Sequence, residues 1–140
     1  MGLDQVMTGC LAAGIGFRRG TAADEIASLI TQALEQLGAA PGDLTAIATA
    51  ADRATERALA SAAARFGLSP CPIAAEALAA RDADLVTRSA RIERLRGVGS
   101  LAEAAALAAA GPGSRLALPR IASGGATCAL ARGLTPMPAA

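Results

Sequence analysis

Three observations predict an α/β fold: a single-domain three-layer α/β/α sandwich around a mostly parallel, mixed sheet of about five strands. Short apolar segments alternate with segments whose apolar residues recur at helical spacing. The helical segments carry start and stop signals, with small polar residues in front and glycine behind. At 140 residues and 53% apolar content, the chain is long enough for one real core, and we treat residues 1–140 as one domain.

The elements follow in order. Residues 5–15, QVMTGCLAAGI, are short, apolar and glycine-punctuated, and predict the first strand. Thr21 is a good N-cap and Asp24 stands three residues on, the spacing of a capping box. Ile26, Leu29, Ile30, Ala33, Leu34 and Leu37 then repeat at helical period until Gly38. The PGD of 41–43 is a turn, and LTAIATA at 44–50 is a second strand. TERALASAAARFG predicts a helix with Ala58, Leu59, Ala62 and Phe66 on one side, closed by Gly67. SPCPIA at 69–74 is a short strand whose prolines confine it to an edge. AEALAARDA is a short helix. In the next stretch, Arg88, Arg91, Arg94 and Arg96 read as a solvated helix face. Ser100 and Glu103 form a second capping box ahead of the helix SLAEAAALAAAG. Residues 115–122 and 125–132 are two closing strands, a hairpin about Ser123 and Gly124. The tail, 132–140, is expected to be loosely ordered.

Composition removes several function classes. The net charge is +1 and the chain holds two aromatic residues, both Phe, which leaves little with which to attract or stack nucleic acid. No segment has the length and hydropathy of a membrane span, and the N-terminus lacks the basic region of a signal peptide. Histidine is absent, and Cys10, Cys71 and Cys128 are scattered and odd in number. This argues against a metal site or a disulfide framework and fits the cytoplasm. All thirteen basic residues are arginine, suited to bidentate pairing with carboxylate or phosphate.

Candidate sites lie in the loops expected at the carboxyl edge of the sheet. GIGFRRGT offers Gly14, Gly16, Arg18, Arg19, Gly20 and Thr21; the middle loop offers Asp52, Arg53 and Glu56. RGVGS offers Gly97, Gly99 and Ser100, with Glu103 beyond; ASGGAT offers Ser123, Gly124, Gly125 and Thr127. Helix N-termini at Thr21 and Ser100 would favour an anion there. The glycine spacing is G-x-G-x-x-x-G, which is not the dinucleotide fingerprint, and Gly20 stands where a P-loop needs lysine. Several of these residues also have plain structural readings: a tight turn for the glycines, a helix cap for Ser100, and a local ion-pair cluster for Asp52, Arg53 and Glu56.

Taken together, GIGFRRGT, DRATE, GVGSLAEAAALAAAG and RLALPRIASGGATCALAR resemble the CobE family, homologous to the C-terminal domain of CbiG. The resemblance runs from about residue 5 to 132 and implies a role in cobalamin biosynthesis. Phe17 follows GIG where CbiG proteins usually carry Cys, and the chain starts a few residues before the first strand. Both features point to the stand-alone branch, where the ring-opening hydrolase activity of CbiG is not expected to carry over. Arg53 stands where relatives often have Lys. The implied ligand is a precorrin or hydrogenobyrinate-type corrinoid, a flat ring edged with carboxylates. Arg18 and Arg19 would pair those carboxylates, small residues would admit the ring, and the protein would hold no cofactor of its own. Two other readings stand beside binding. One is a side-chain hydrolase or lyase using Asp52, Glu56 or Glu103 as acid or base. The other is an interaction subunit of another pathway enzyme; a homodimer is also compatible.

Overall fold

The computed structural model describes residues 10–133. Of the expected first strand, residues 5–9 lie outside that range, as does most of the expected loose tail. One sheet holds five strands in the order β3-β2-β1-β5-β4. They are β1 (Leu11–Phe17), β2 (Ala46–Ala50), β3 (Pro70–Ile73), β4 (Arg115–Ala122) and β5 (Ala126–Arg132). Pairs β1–β2 and β2–β3 are parallel, while β5 runs antiparallel to both β1 and β4. Four strands therefore point one way and β5 alone opposes them. The proline-bearing β3 lies at an edge, as its missing N–H donors require.

Five helices flank the sheet: α1 (Ala23–Leu37), α2 (Arg57–Ala64), α3 (Ala75–Ala79), α4 (Ala90–Arg96) and α5 (Leu101–Ala110). Alternation along β1 assigns the two faces. Leu11, Ala13, Ile15 and Phe17 pack with Ile26, Ile30 and Leu34 of α1 and Leu59 of α2. Ala12 packs with Ala102, Ala106 and Leu107 of α5, beside Ala129 and Ala131 of β5. The α5 face is built from alanine and glycine, so the helix sits very close to the sheet. A Cβ on Gly14 would lie 1.9 Å from the Ala102 carbonyl oxygen and 2.4 Å from the Ala106 nitrogen. Gly14 is therefore a packing residue beneath α5.

The capping expectations are half met. Helix α1 starts one residue later than expected, with Ala22 as N-cap and no side-chain cap. The Thr21 hydroxyl instead donates to the Gly125 carbonyl (3.1 Å). At the other end Gly38 terminates the helix in the left-handed region, φ 78°. Ser100 caps α5, accepting from the Glu103 amide at 3.3 Å. Glu103 does not reciprocate; its carboxylate has other partners, described below. The C-terminus of α5 is closed by Arg81, whose guanidinium donates to the carbonyls of Leu107 (3.0 Å) and Gly111 (3.2 Å) and to both oxygens of Ser114. A cation on the last carbonyls of a helix satisfies orphan acceptors and complements the dipole.

Candidate functional site

The topology gathers three turns at one edge of the sheet. These are residues 18–20 after β1, the 3₁₀ turn Ala51–Arg53 after β2, and residues 123–125 between β4 and β5. Because β5 runs backward, its first residues also lie at this edge. Helix α4 lies across the opening. Together they enclose an open cleft of about 610 Å³, within the ~300–1,000 Å³ usual for small-molecule sites.

Six of the thirteen arginines line it: Arg18, Arg19, Arg53, Arg91, Arg96 and Arg120. Phe17, Ile92, Leu95 and Leu101 give it apolar wall, and Ser89, Ser123 and Thr127 give it hydroxyls. Gly16, Gly124 and Gly125 form the floor and rim. No aspartate or glutamate is among the lining residues.

The double-arginine loop is held by a network that includes one residue not singled out from the sequence, Glu25. The Arg18 amide donates to the Gly125 carbonyl (2.8 Å) and the Thr21 amide to the Arg18 carbonyl (3.1 Å). Glu25, in the first turn of α1, accepts from the Ser123 hydroxyl and the Gly125 amide (2.7 Å). Those two bonds hold its carboxyl below the usual range. Gly20 takes φ 86°, where a side chain would strain the turn. A Cβ on Gly16 would lie 2.7 Å from the Thr127 hydroxyl. The glycines of GIGFRRG thus serve three separate ends: helix approach at Gly14, strand pairing at Gly16 and turn geometry at Gly20.

The cleft arginines divide into two groups. Arg53 lies over the Phe17 ring, 4.3 Å from its centroid, and pairs with Glu56. Its Nη2 is buried and has no hydrogen-bond partner among the described residues. Arg96 pairs with Asp52 at 2.6 Å, tying α4 to the turn after β2. Hydrogen bonding to Arg96 holds the Asp52 carboxyl below its ordinary value, against the opposing effect of desolvation. The guanidinium groups of Arg18, Arg19, Arg91 and Arg120 make no hydrogen bond or ion pair among the described residues. The arginines of the α4 stretch therefore do not act as one solvated face. Arg91 and Arg96 line the cleft. Arg88 is bound to Asp82 (2.8 Å) and Glu93 (2.9 Å), and Arg94 is exposed outside it.

Of the other residues expected at the site, several are placed elsewhere. Glu103 is fully buried; its Oε1 accepts from the amides of Val86 and Thr87 (both 2.9 Å) and its Oε2 from the Arg120 amide (3.0 Å). Burial alone would raise its pKa, but the backbone amides outweigh that and hold the carboxyl below the ordinary value. It is a buried tie between the 86–87 segment, α5 and β4, with three backbone amides on its carboxylate. Ser100 is fully buried as a cap. Gly97 ends α4 with φ 75°, and Gly99 is buried against the Arg88 side chain. Asp52 and Glu56 are the counter-ions of Arg96 and Arg53, outside the cleft wall. Gly16, Arg18, Arg19, Arg53, Ser123, Gly124 and Thr127 do come together in it. Among the described residues no group of His, Cys, Asp and Glu is placed to hold a metal ion, and no helix is long and apolar enough to cross a membrane.

The class that these features define is an α/β/α sandwich with an arginine-rich, partly apolar cleft at the carboxyl edge of its sheet. The comparisons give that class a family. The chain belongs to the family described as "Cobalamin synthesis G C-terminus", whose model matches residues 11–131. It is 37% identical over 121 residues to Protein CobE from Sinorhizobium sp., across 86% of this chain and 79% of that protein. Its fold matches the crystal structure of CobE, a protein from the cobalamin (vitamin B12) biosynthetic pathway. That match has TM-score 0.84 and 33% identity, over 91% of this chain and 93% of the other. A second match is the cobalamin biosynthesis protein chiG from Agrobacterium tumefaciens str. C58, with TM-score 0.72 and 35% identity, covering 89% and 99% of the two chains. This is a cobalamin-biosynthesis protein of the CobE/CbiG C-terminal kind.

Proposed function

We propose that this chain is a cytoplasmic binding protein for a corrinoid intermediate, holding or handing over the ligand without transforming it. One observation carries the reading. Four guanidinium groups without partners among the described residues, with Arg53 and Arg96 beside them, line a cleft whose lining includes apolar side chains and no acid. A flat macrocycle rimmed with carboxylates supplies what such a cleft is missing. Its carboxylates answer the guanidiniums in charge-assisted, bidentate fashion. Its ring lies against Phe17, Ile92, Leu95 and Leu101. Turnover finds less support here. The candidate carboxylates Asp52, Glu56 and Glu103 are all engaged and outside the cleft wall, and the carboxylate beside a cleft hydroxyl, Glu25 at Ser123, is also bound by the Gly125 amide and held below its ordinary pKa, which makes it a weaker base.

The test is a spectroscopic titration. Without Trp or Tyr the protein is almost transparent at long wavelength, so corrinoid absorbance reads binding directly. Hydrogenobyrinate is expected to bind and to be recovered with unchanged mass. The pair Arg18→Ala and Arg19→Ala should weaken it roughly tenfold, from ~0.5–1 kcal/mol per exposed ion pair. Unchanged affinity in that variant would overturn the site, and a product of altered mass would overturn the carrier reading in favour of an enzyme.

A further inference from the structure

We infer that the cleft selects the free-acid form of its corrinoid over forms whose side-chain carboxylates have become amides. The inference rests on the reading above and concerns which chemical state of that ligand is held. The polar side-chain groups lining the cleft are six guanidiniums and three hydroxyls. A guanidinium has five N–H donors and no acceptor. A carboxylate rim meets these donors with charge and with lone pairs. A primary amide has lost the charge and turns an NH₂ group, a second donor, toward them. The side-chain groups that would accept most strongly from an amide are carboxylates and carboxamides, and the lining includes neither. The chain has no asparagine anywhere; of its three glutamines, Gln5 lies outside the described residues, and Gln32 and Gln36 lie on α1, away from this cleft. The Ser123 hydroxyl oxygen, which could accept from an amide, already receives the Ala126 amide (3.1 Å).

The preference also has a direction in a reaction sequence. A ligand held by Arg18, Arg19, Arg91 and Arg120 loses those contacts as its carboxylates are converted to amides. A step that turned those carboxylates into amides would thereby release its product from this protein without a separate switch.

The experiment compares hydrogenobyrinate with the same corrin carrying two side-chain amides, by visible-absorbance titration at low and at physiological salt. The wild-type protein should bind the free acid at least roughly tenfold more tightly, about one ion pair's worth per amide. The ratio should shrink as salt rises. Substituting Arg18, Arg19, Arg91 and Arg120 by Gln should bring the ratio close to one. These side chains have no partners among the described residues, so the variant is expected to fold, which far-UV circular dichroism checks. If it does not fold, the wild-type ratio and its salt dependence still decide. Equal binding of acid and amide overturns this inference and leaves corrinoid binding intact. Failure to bind either overturns the binding reading itself. A variant that keeps the full ratio overturns the assignment to these arginines.

Discussion

Replacing Glu103 by Gln tests whether that carboxylate is a buried structural tie. The substitution keeps the shape and removes one acceptor oxygen. Wild-type Glu103 receives three backbone amides, from Val86, Thr87 and Arg120. The better orientation for Gln leaves its oxygen on Val86 and Thr87 and turns its NH₂ toward the Arg120 N–H, donor against donor. A hydrogen bond to a charged group contributes about 1.5–3 kcal/mol, and the two surviving bonds weaken to neutral ones of about 1 kcal/mol. The neutral side chain is less costly to bury, which offsets part of the loss. The net expectation is about 2–4 kcal/mol of destabilisation, a large share of the ~5–15 kcal/mol that holds a domain. Urea unfolding followed by far-UV circular dichroism measures it. The sign with pH is also set. The folded carboxyl lies below the ordinary 4.5, so the unfolded chain takes up its proton first as pH falls. Its stabilisation is full above pH 4.5 and is lost as pH falls through the folded value. The gap between wild type and Glu103→Gln should therefore narrow on acidification; Glu25, Asp52 and Asp82, also held low, are common to both proteins and cancel. A variant within about 0.5 kcal/mol of wild type, the range of ordinary surface changes, would refute the reasoning. So would a gap that does not move with pH.

Three further outcomes are expected. Gly14→Ala forces a methyl group into the backbone of α5, and overpacking of this kind should cost about 3 kcal/mol or more, seen as a lowered Tm; a Tm shift under a few degrees contradicts the close approach. Arg81→Ala uncovers the last carbonyls of α5 and both oxygens of Ser114, for an expected loss of about 2–4 kcal/mol in urea unfolding. Arg81→Lys should restore only part of that, because one ammonium cannot span four acceptors. Asp52→Asn removes an exposed ion pair, so stability should change by less than about 1 kcal/mol, while the released Arg96 should tighten corrinoid binding in the same absorbance titration. Weaker binding in Asp52→Asn would show that Arg96 is needed where Asp52 holds it.

Local features of this chain were legible without coordinates because local interactions create them. The helical repeat from Ile26 to Leu37 reports a buried stripe, Gly38 reports a left-handed terminus, and the prolines of 70–73 report an edge strand. The strand pair flanking Ser123 and Gly124 fell where expected because hairpin register is set over a few residues. Half of the cleft was legible for the same reason: Gly16, Arg18 and Arg19 stand together at the end of β1, and Ser123, Gly124 and Thr127 around the turn from β4 into β5.

The rest was decided by long-range packing, which leaves no mark in any short window. Arg91 and Arg96 share a spacing with solvated helix arginines, and only the placement of α4 across the sheet edge turns them inward. Arg120 is an ordinary strand residue until the hairpin carries it to the same cleft. Glu103 sits three residues after a Ser cap, the position of a reciprocal cap. Its real partners come from residues 86, 87 and 120, and burial makes those amides the stronger claim. Gly14 reads as a loop glycine, yet it lies mid-strand because α5 comes too close for a Cβ. Residue type and spacing determine which backbone elements form. Which side chains share a cleft, and which carboxylates remain free, depends on distances between segments that the chain brings together only on folding.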